Sequence, residues 1–235
     1  MRIRARGVDV SAILDRPPAA PSGALPVAPN DMPHTALVFA HGAGAGMRHA
    51  FLEAFAAALV ARGFAVLRYQ FPYVEEGRKR VDPPAVAHAT VRAAVEAAAA
   101  ALPGVPLLAG GKSFGGRMTS EAQSEEPLPG VRGLVFAGFP LHPPDRPGTA
   151  RAAHLGTVQV PMLFLQGTRD EFARRELLEP VVAGLGARAR LAWIEDGDHS
   201  FAVRKKVTGK SAADVLRELA GRVEEWARDV RGPGK

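Results

Sequence analysis

Three residues of this chain, Ser113, Asp170 and His199, have the types and the order needed to break an acyl bond. Ser113 sits in "GKSFG", Gly111 to Gly115, which meets the pattern G-x-S-x-G. A serine hydroxyl is a weak nucleophile until a base takes its proton, and a histidine base needs an acid to fix its tautomer. When such a serine stands between a strand and a helix, the acid and then the base follow it in the chain. Asp170 follows the apolar run "VPMLFLQ" through "GTRD", and His199 follows "ARLAWIE" through "DGDH". Of the histidines at 34, 41, 49, 88, 142, 154 and 199, only His199 has both this order and a position just past a strand. Asp145, Glu171 and Asp196 compete with Asp170, but Asp145 precedes the penultimate apolar run and Asp196 lies in the histidine's own turn.

Attack by Ser113 would place negative charge on the carbonyl oxygen, and two backbone N–H groups would be needed to hold it. The expected donors are Phe114, next to the serine, and Ala43 in the small-residue loop "HGAGAG".

Two phosphate-binding readings of the same stretches fail on spacing. A P-loop ending in "GKS" needs glycine at 106, where Pro106 stands. A dinucleotide fingerprint starting in "HGAGAG" needs glycine at 47, where Met47 stands, and the next strand offers Arg68 instead of an acid for a ribose.

These residues must be carried by an alternation of strands and helices. Apolar runs at 36–40, 64–69, 105–109, 133–138, 160–166 and 189–195 suit strands buried on both faces. Helix patterns lie between them at 49–62, 84–102, 114–124, 171–184 and 211–230. The order predicts an α/β fold with a mostly parallel, doubly wound sheet, whose chemistry collects beyond the carboxyl ends of the strands. "VDVSAILD" is an expected N-terminal strand, and residues 16 to 33, rich in Pro, Ala and Gly, an expected loop or hairpin connection.

Composition narrows the classes further. The 235 residues, 47% of them hydrophobic, suit a single domain at 1–235, with 1–34 as a strand and loop extension. There is no cysteine, so disulfides, thiolate metal sites and cysteine nucleophiles are excluded. The net charge of +6 is scattered, with its densest cluster in "RKKVTGK" and few aromatics near it, so nucleic acid is not an expected partner. Asp9 and Asp15 interrupt the apolar residues near the N-terminus and Glu96 interrupts "AVEAAAAAL". Neither a secretory signal nor a membrane span is expected, and the expected location is cytoplasmic.

"FAHGAGAGM", "GGKSFGGRM", "FPLHPP", "LQGTRDEF" and "GDHSF" together resemble the α/β-hydrolase superfamily, in its small dienelactone-hydrolase-like branch. They are similar to a bacterial group related to the hydrolase-like domain of a subunit of the NSL chromatin-acetylation complex and of a testis-expressed protein. The resemblance runs from about residue 35 to 230 and implies no metal and no cofactor. Dienelactone hydrolases use a cysteine nucleophile, so Ser113 moves the expectation towards ester hydrolysis. Only "FPLHPPDRPGTARAAHLGTVQ", 139 to 159, is available for a lid, room for about one helix, which implies an open cleft, with His142 and its prolines forming either one of its walls or a purely structural turn. The expected activity is therefore a serine hydrolase acting on a small-molecule ester, thioester or similar acyl bond. The alternative is a noncatalytic scaffold of the same fold that binds a protein.

Overall fold

The computed structural model describes residues 1–18 and 33–231. Its centre is an eight-stranded sheet in the order β1-β2-β4-β3-β5-β6-β7-β8. The strands are β1 (Arg2–Ala5), β2 (Val8–Asp15), β3 (Thr35–Ala40), β4 (Phe64–Tyr69), β5 (Leu107–Lys112), β6 (Val131–Ala137), β7 (Met162–Gly167) and β8 (Ala189–Ile194). From β3 onward all strands run parallel, while β2 joins β4 antiparallel and β1 extends the edge as a hairpin with β2.

Helices cover both faces, which is why the middle strands are apolar on both sides. Ala36, Val38 and Ala40 of β3 face one core, and Leu37 and Phe39 face the other. The first core is covered by α3 (Pro84–Ala101), α4 (Phe114–Glu125), α5 (Arg175–Gly184) and a 3₁₀ helix at Ala150–Thr157. The second lies beneath α1 (Ala50–Val60) and α7 (Ala212–Arg231), where Phe55, Leu59, Leu219 and Trp226 are buried. Two four-residue helices, α2 (Pro72–Glu75) and α6 (Lys205–Thr208), and a 3₁₀ turn at Gly186–Arg188 complete the elements of the described residues.

The chain winds one way from β3 to β4, then crosses over through α3 to β5 on the other side of β3. At such a switch point the loops after two neighbouring strands diverge and leave a crevice at their carboxyl ends. Here the loops are "HGAGAG" after β3 and the Ser113 turn after β5.

The observed elements differ from the apolar runs in informative ways. The run at 105–109 is three residues short of the end of β5, because Gly110, Gly111 and Lys112 continue the ladder beside β3 and β6 without apolar side chains. The helix expected from 171 begins at Arg175, since 171–174 are occupied by the turn that carries Asp170. The strand expected at "VDVSAILD" is β2, whereas β1 was not foreseen in "RIRA", too short and too charged to read as apolar. Most of the loop expected at 16–33 lies outside the described residues.

Gly110 has no room for a side chain, because a Cβ would sit 1.9 Å from the carbonyl oxygen of Val135 on β6. Gly148 faces open space. Gly110→Ala should therefore lose at least about 3 kcal/mol of stability, and Gly148→Ala should stay within about 1 kcal/mol of wild type. Urea unfolding of the two variants measures both.

Candidate active site

The turn after β5 is strained at one residue. Ser113 has φ 49° and ψ −116°, a region that costs about 1–3 kcal/mol for a residue with a side chain. The neighbours hold it there. Its N–H donates to the carbonyl of Ala137 on β6 at 3.1 Å, and α4 starts at the next residue. The helix can start so close only because both glycines of the pattern lack a Cβ. At Gly111 a Cβ would approach the backbone of Gly115 and Gly116 to 2.7 Å, and at Gly115 it would lie 2.5 Å from the carbonyl oxygen of His41. Gly116, outside the five-residue pattern, is also confined, 2.8 Å from the Gly111 carbonyl oxygen.

Ser113, His199 and Asp170 come together in one chain of hydrogen bonds. Nδ1–H of His199 donates to Oδ2 of Asp170 at 2.8 Å, which leaves the Nε2 lone pair to accept from Ser113 Oγ at 2.8 Å. The Asp170 side chain is fully buried, and a buried carboxylate is stable only when its lone pairs are used. Gln166 Nε2 donates to the same Oδ2 at 2.6 Å, and the Phe172 N–H donates to Oδ1 at 2.8 Å. The ring of Phe172 also lies against the imidazole, 4.4 Å between centroids.

The competing acids have other work or other places. Asp196 is buried in an ion pair, accepting from the Arg204 backbone N–H at 2.7 Å and pairing with Arg169 Nε at 3.0 Å. The hydrogen bond from the Arg204 guanidinium holds its carboxyl down at about 2. Asp145 and Glu171 are exposed.

Ala43 and Phe114, the two expected oxyanion donors, stand on the loops that face each other across the switch point, and neither N–H has a hydrogen-bond partner among the described residues. The loop of Ala43 is shaped by His41. That imidazole is fully buried, donates through Nδ1 to the Gly42 carbonyl at 2.8 Å and accepts at Nε2 from the Phe71 N–H at 3.2 Å. Both bonds fit only the neutral ring, and burial pushes its pKa down to about 4.

Residues 138–161 carry only the short 3₁₀ helix, so no substantial lid stands over the serine. His142 in this stretch is a fastener. It donates to the Pro143 carbonyl at 2.8 Å, accepts from the Arg174 N–H at 3.2 Å and bonds through its own N–H to Phe172.

Sequence reasoning missed Gln166, His41, Phe172 and above all Lys112. Lys112 is half-buried, and its ammonium donates to the His199 carbonyl. Polar residues at the ends of otherwise apolar runs, Gln166 after "MLFL" and His41 after "LVFA", were the available signal. Among the described residues no group of three or more His, Asp or Glu is placed to hold a metal ion, and no helix is long and apolar enough to cross a membrane.

Residues 33–228 match the sequence profile of a family described as "Alpha/beta hydrolase domain". The chain belongs to that family. Among solved structures, an alpha-beta serine hydrolase homologue from Coxiella burnetii superposes with a TM-score of 0.71 at 18% identity, over 94% of this chain and 95% of its own. A serine hydrolase without lid from Xanthomonas campestris gives 0.70 at 20% identity, over 96% and 93%. A dienelactone hydrolase from Anabaena variabilis gives 0.70 at 20% identity, over 96% and 94%. These likenesses show that the α/β-hydrolase fold is shared.

In this hydrolase domain, His41 makes stability depend on pH. Its folded pKa lies below the ordinary 6.5, so its contribution is fully present above pH 6.5 and is lost as pH falls through about 4. His41→Gln should be less stable than wild type at pH 7.5, and the gap should narrow by on the order of 2 kcal/mol at pH 5. Urea titrations of both proteins at the two pH values test this.

Proposed function

We propose that this chain is a serine hydrolase that cleaves a small-molecule ester, thioester or similar acyl bond through an acyl-enzyme. The observation that carries the reading is the unbroken relay from buried Asp170 through His199 to Ser113 Oγ, with both links at 2.8 Å. In this reading Ser113 Oγ attacks the carbonyl carbon while His199 Nε2 takes its proton. His199 then gives that proton to the leaving group, and the acyl group stays on Ser113. Water repeats the sequence and releases the acid. Asp170 does not take a proton; it orients the imidazole and stabilises the imidazolium.

The N–H groups of Phe114 and Ala43 hold the oxyanion. They fit this role because their loops converge on the serine and both donors are free among the described residues, while the loop after His41 carries nothing larger than alanine up to Gly46. Family membership supports hydrolysis, as do the structural likenesses to the serine hydrolase homologue from Coxiella, the serine hydrolase from Xanthomonas and an esterase domain from Rhodothermus marinus with a TM-score of 0.70 at 18% identity. The short cover between β6 and β7 favours small or flexible acyl groups that need no deep enclosure.

A fluorophosphonate should add once to the folded protein, and peptide mapping should locate the adduct on Ser113. Ser113→Ala should take up none and should lower turnover of a p-nitrophenyl ester by at least about a thousandfold, with Asp170→Asn losing a comparable factor. Wild-type protein that is folded yet neither labels nor turns over esters would overturn the reading and favour the noncatalytic scaffold.

A further inference from the structure

Lys112 is a charged residue at the centre of the site to which the relay gives no role. It ends β5, one residue before Ser113, and its long side chain turns inward along the crevice. The ammonium donates to the main-chain carbonyl of His199 at 2.6 Å and lies 5.5 Å from the centroid of the Phe201 ring. Gly138, just past β6, makes room for it. A Cβ there would sit 2.9 Å from Nζ and 3.4 Å from the imidazole. On its other side the stem passes Gly42, where a Cβ would lie 3.7 Å from Lys112 Cγ. One side chain therefore touches the loops that follow β3, β6 and β8.

The histidine loop needs such a tie. Two of its residues, Asp196 and Phe201, have left-handed backbones at φ 56° and 63°, so it is held by particular bonds rather than by regular structure. The ion pairs of Asp196 with Arg204 and Arg169 fasten one end of the loop to its own surroundings. Lys112 fastens the peptide of His199 itself to the strand that delivers Ser113.

We propose that Lys112 is a positioning residue whose ammonium sets the distance between His199 and Ser113. The proposal rests on the serine hydrolase reading above. A charged donor makes a shorter and roughly twice stronger hydrogen bond than a neutral one, so losing the charge slackens the tie without removing it. Burial draws the pKa of Lys112 down to about 8, against the carboxylates of Asp170 and Asp198, which favour the charged form. The imidazole of His199 is the other titratable group beside it. The tie is thus intact at pH 7 and weakens as pH rises through about 8.

The test is the rate of fluorophosphonate addition to Ser113 from pH 6 to pH 10, on wild type, Lys112→Met and Lys112→Gln, with circular dichroism and melting curves to verify folding. Wild type should react fastest near neutral pH and slow with a midpoint near 8. Lys112→Met should react about ten- to a hundredfold more slowly at pH 7, the cost of a misplaced base, and should lack the alkaline decline. Lys112→Gln, which keeps a neutral donor, should fall between them and also lack the decline. A folded Lys112→Met that reacts as fast as wild type at pH 7, or that keeps the same alkaline decline, overturns the positioning role alone. If neither variant folds, a wild-type rate that stays flat across pH 8 does the same. No addition to wild-type Ser113 at any pH overturns both this proposal and the hydrolase reading.

Discussion

The closeness of α4 to β3 and β5 is the constraint on which the rest of the site depends. A backbone can turn from strand to helix within one residue only if nothing projects from the positions on either side. Gly111 and Gly115 meet that condition against the Gly115–Gly116 peptide and the His41 carbonyl, respectively. The turn forces Ser113 into a strained conformation, and the strain keeps its hydroxyl clear of the sheet. The same approach brings the N-terminus of α4 beside the loop of Ala43. Serine placement and the two free N–H groups therefore have one cause.

Behind this turn the buried acid and its neighbours use one another's polar atoms. Asp170 is satisfied by His199, Gln166 and the Phe172 N–H. Gln166 in turn accepts from the Phe139 N–H, and His41 uses both ring nitrogens on backbone. Gln166 lies at the end of β7 and His41 directly follows β3, where backbone leaves the ladder and needs new partners. The Phe172 N–H bond both satisfies that backbone and holds the Asp170 carboxylate.

This division explains what could be read from sequence and what could not. Apolar runs identified the strands from β3 to β7 because those strands are buried almost entirely on both faces, and the edge strand β8 because its partly buried apolar residues pack on both cores. The glycine pattern and the strand-end positions of Asp170 and His199 were legible because each is a local property. The end of β5 was not, since Gly110 and Gly111 belong to the ladder for reasons supplied by β6 and α4. Lys112 and Gln166 were missed for a related reason. Lys112 meets His199 across 87 positions of chain, and Gln166 meets Phe139 across 27, and no local spacing encodes such pairings.

The stretch over the crevice, residues 138–161, is fastened by the side chains that also serve the acid. Gln166 joins Phe139 to Asp170, and His142 joins the same stretch to Phe172 and Arg174. Its first residues, Phe139 and His142, are thereby tied to the strand end and turn that carry the Asp170 carboxylate. On the hydrolase reading proposed above, so slight a cover would leave an acyl group on Ser113 within reach of water and of any other small acceptor.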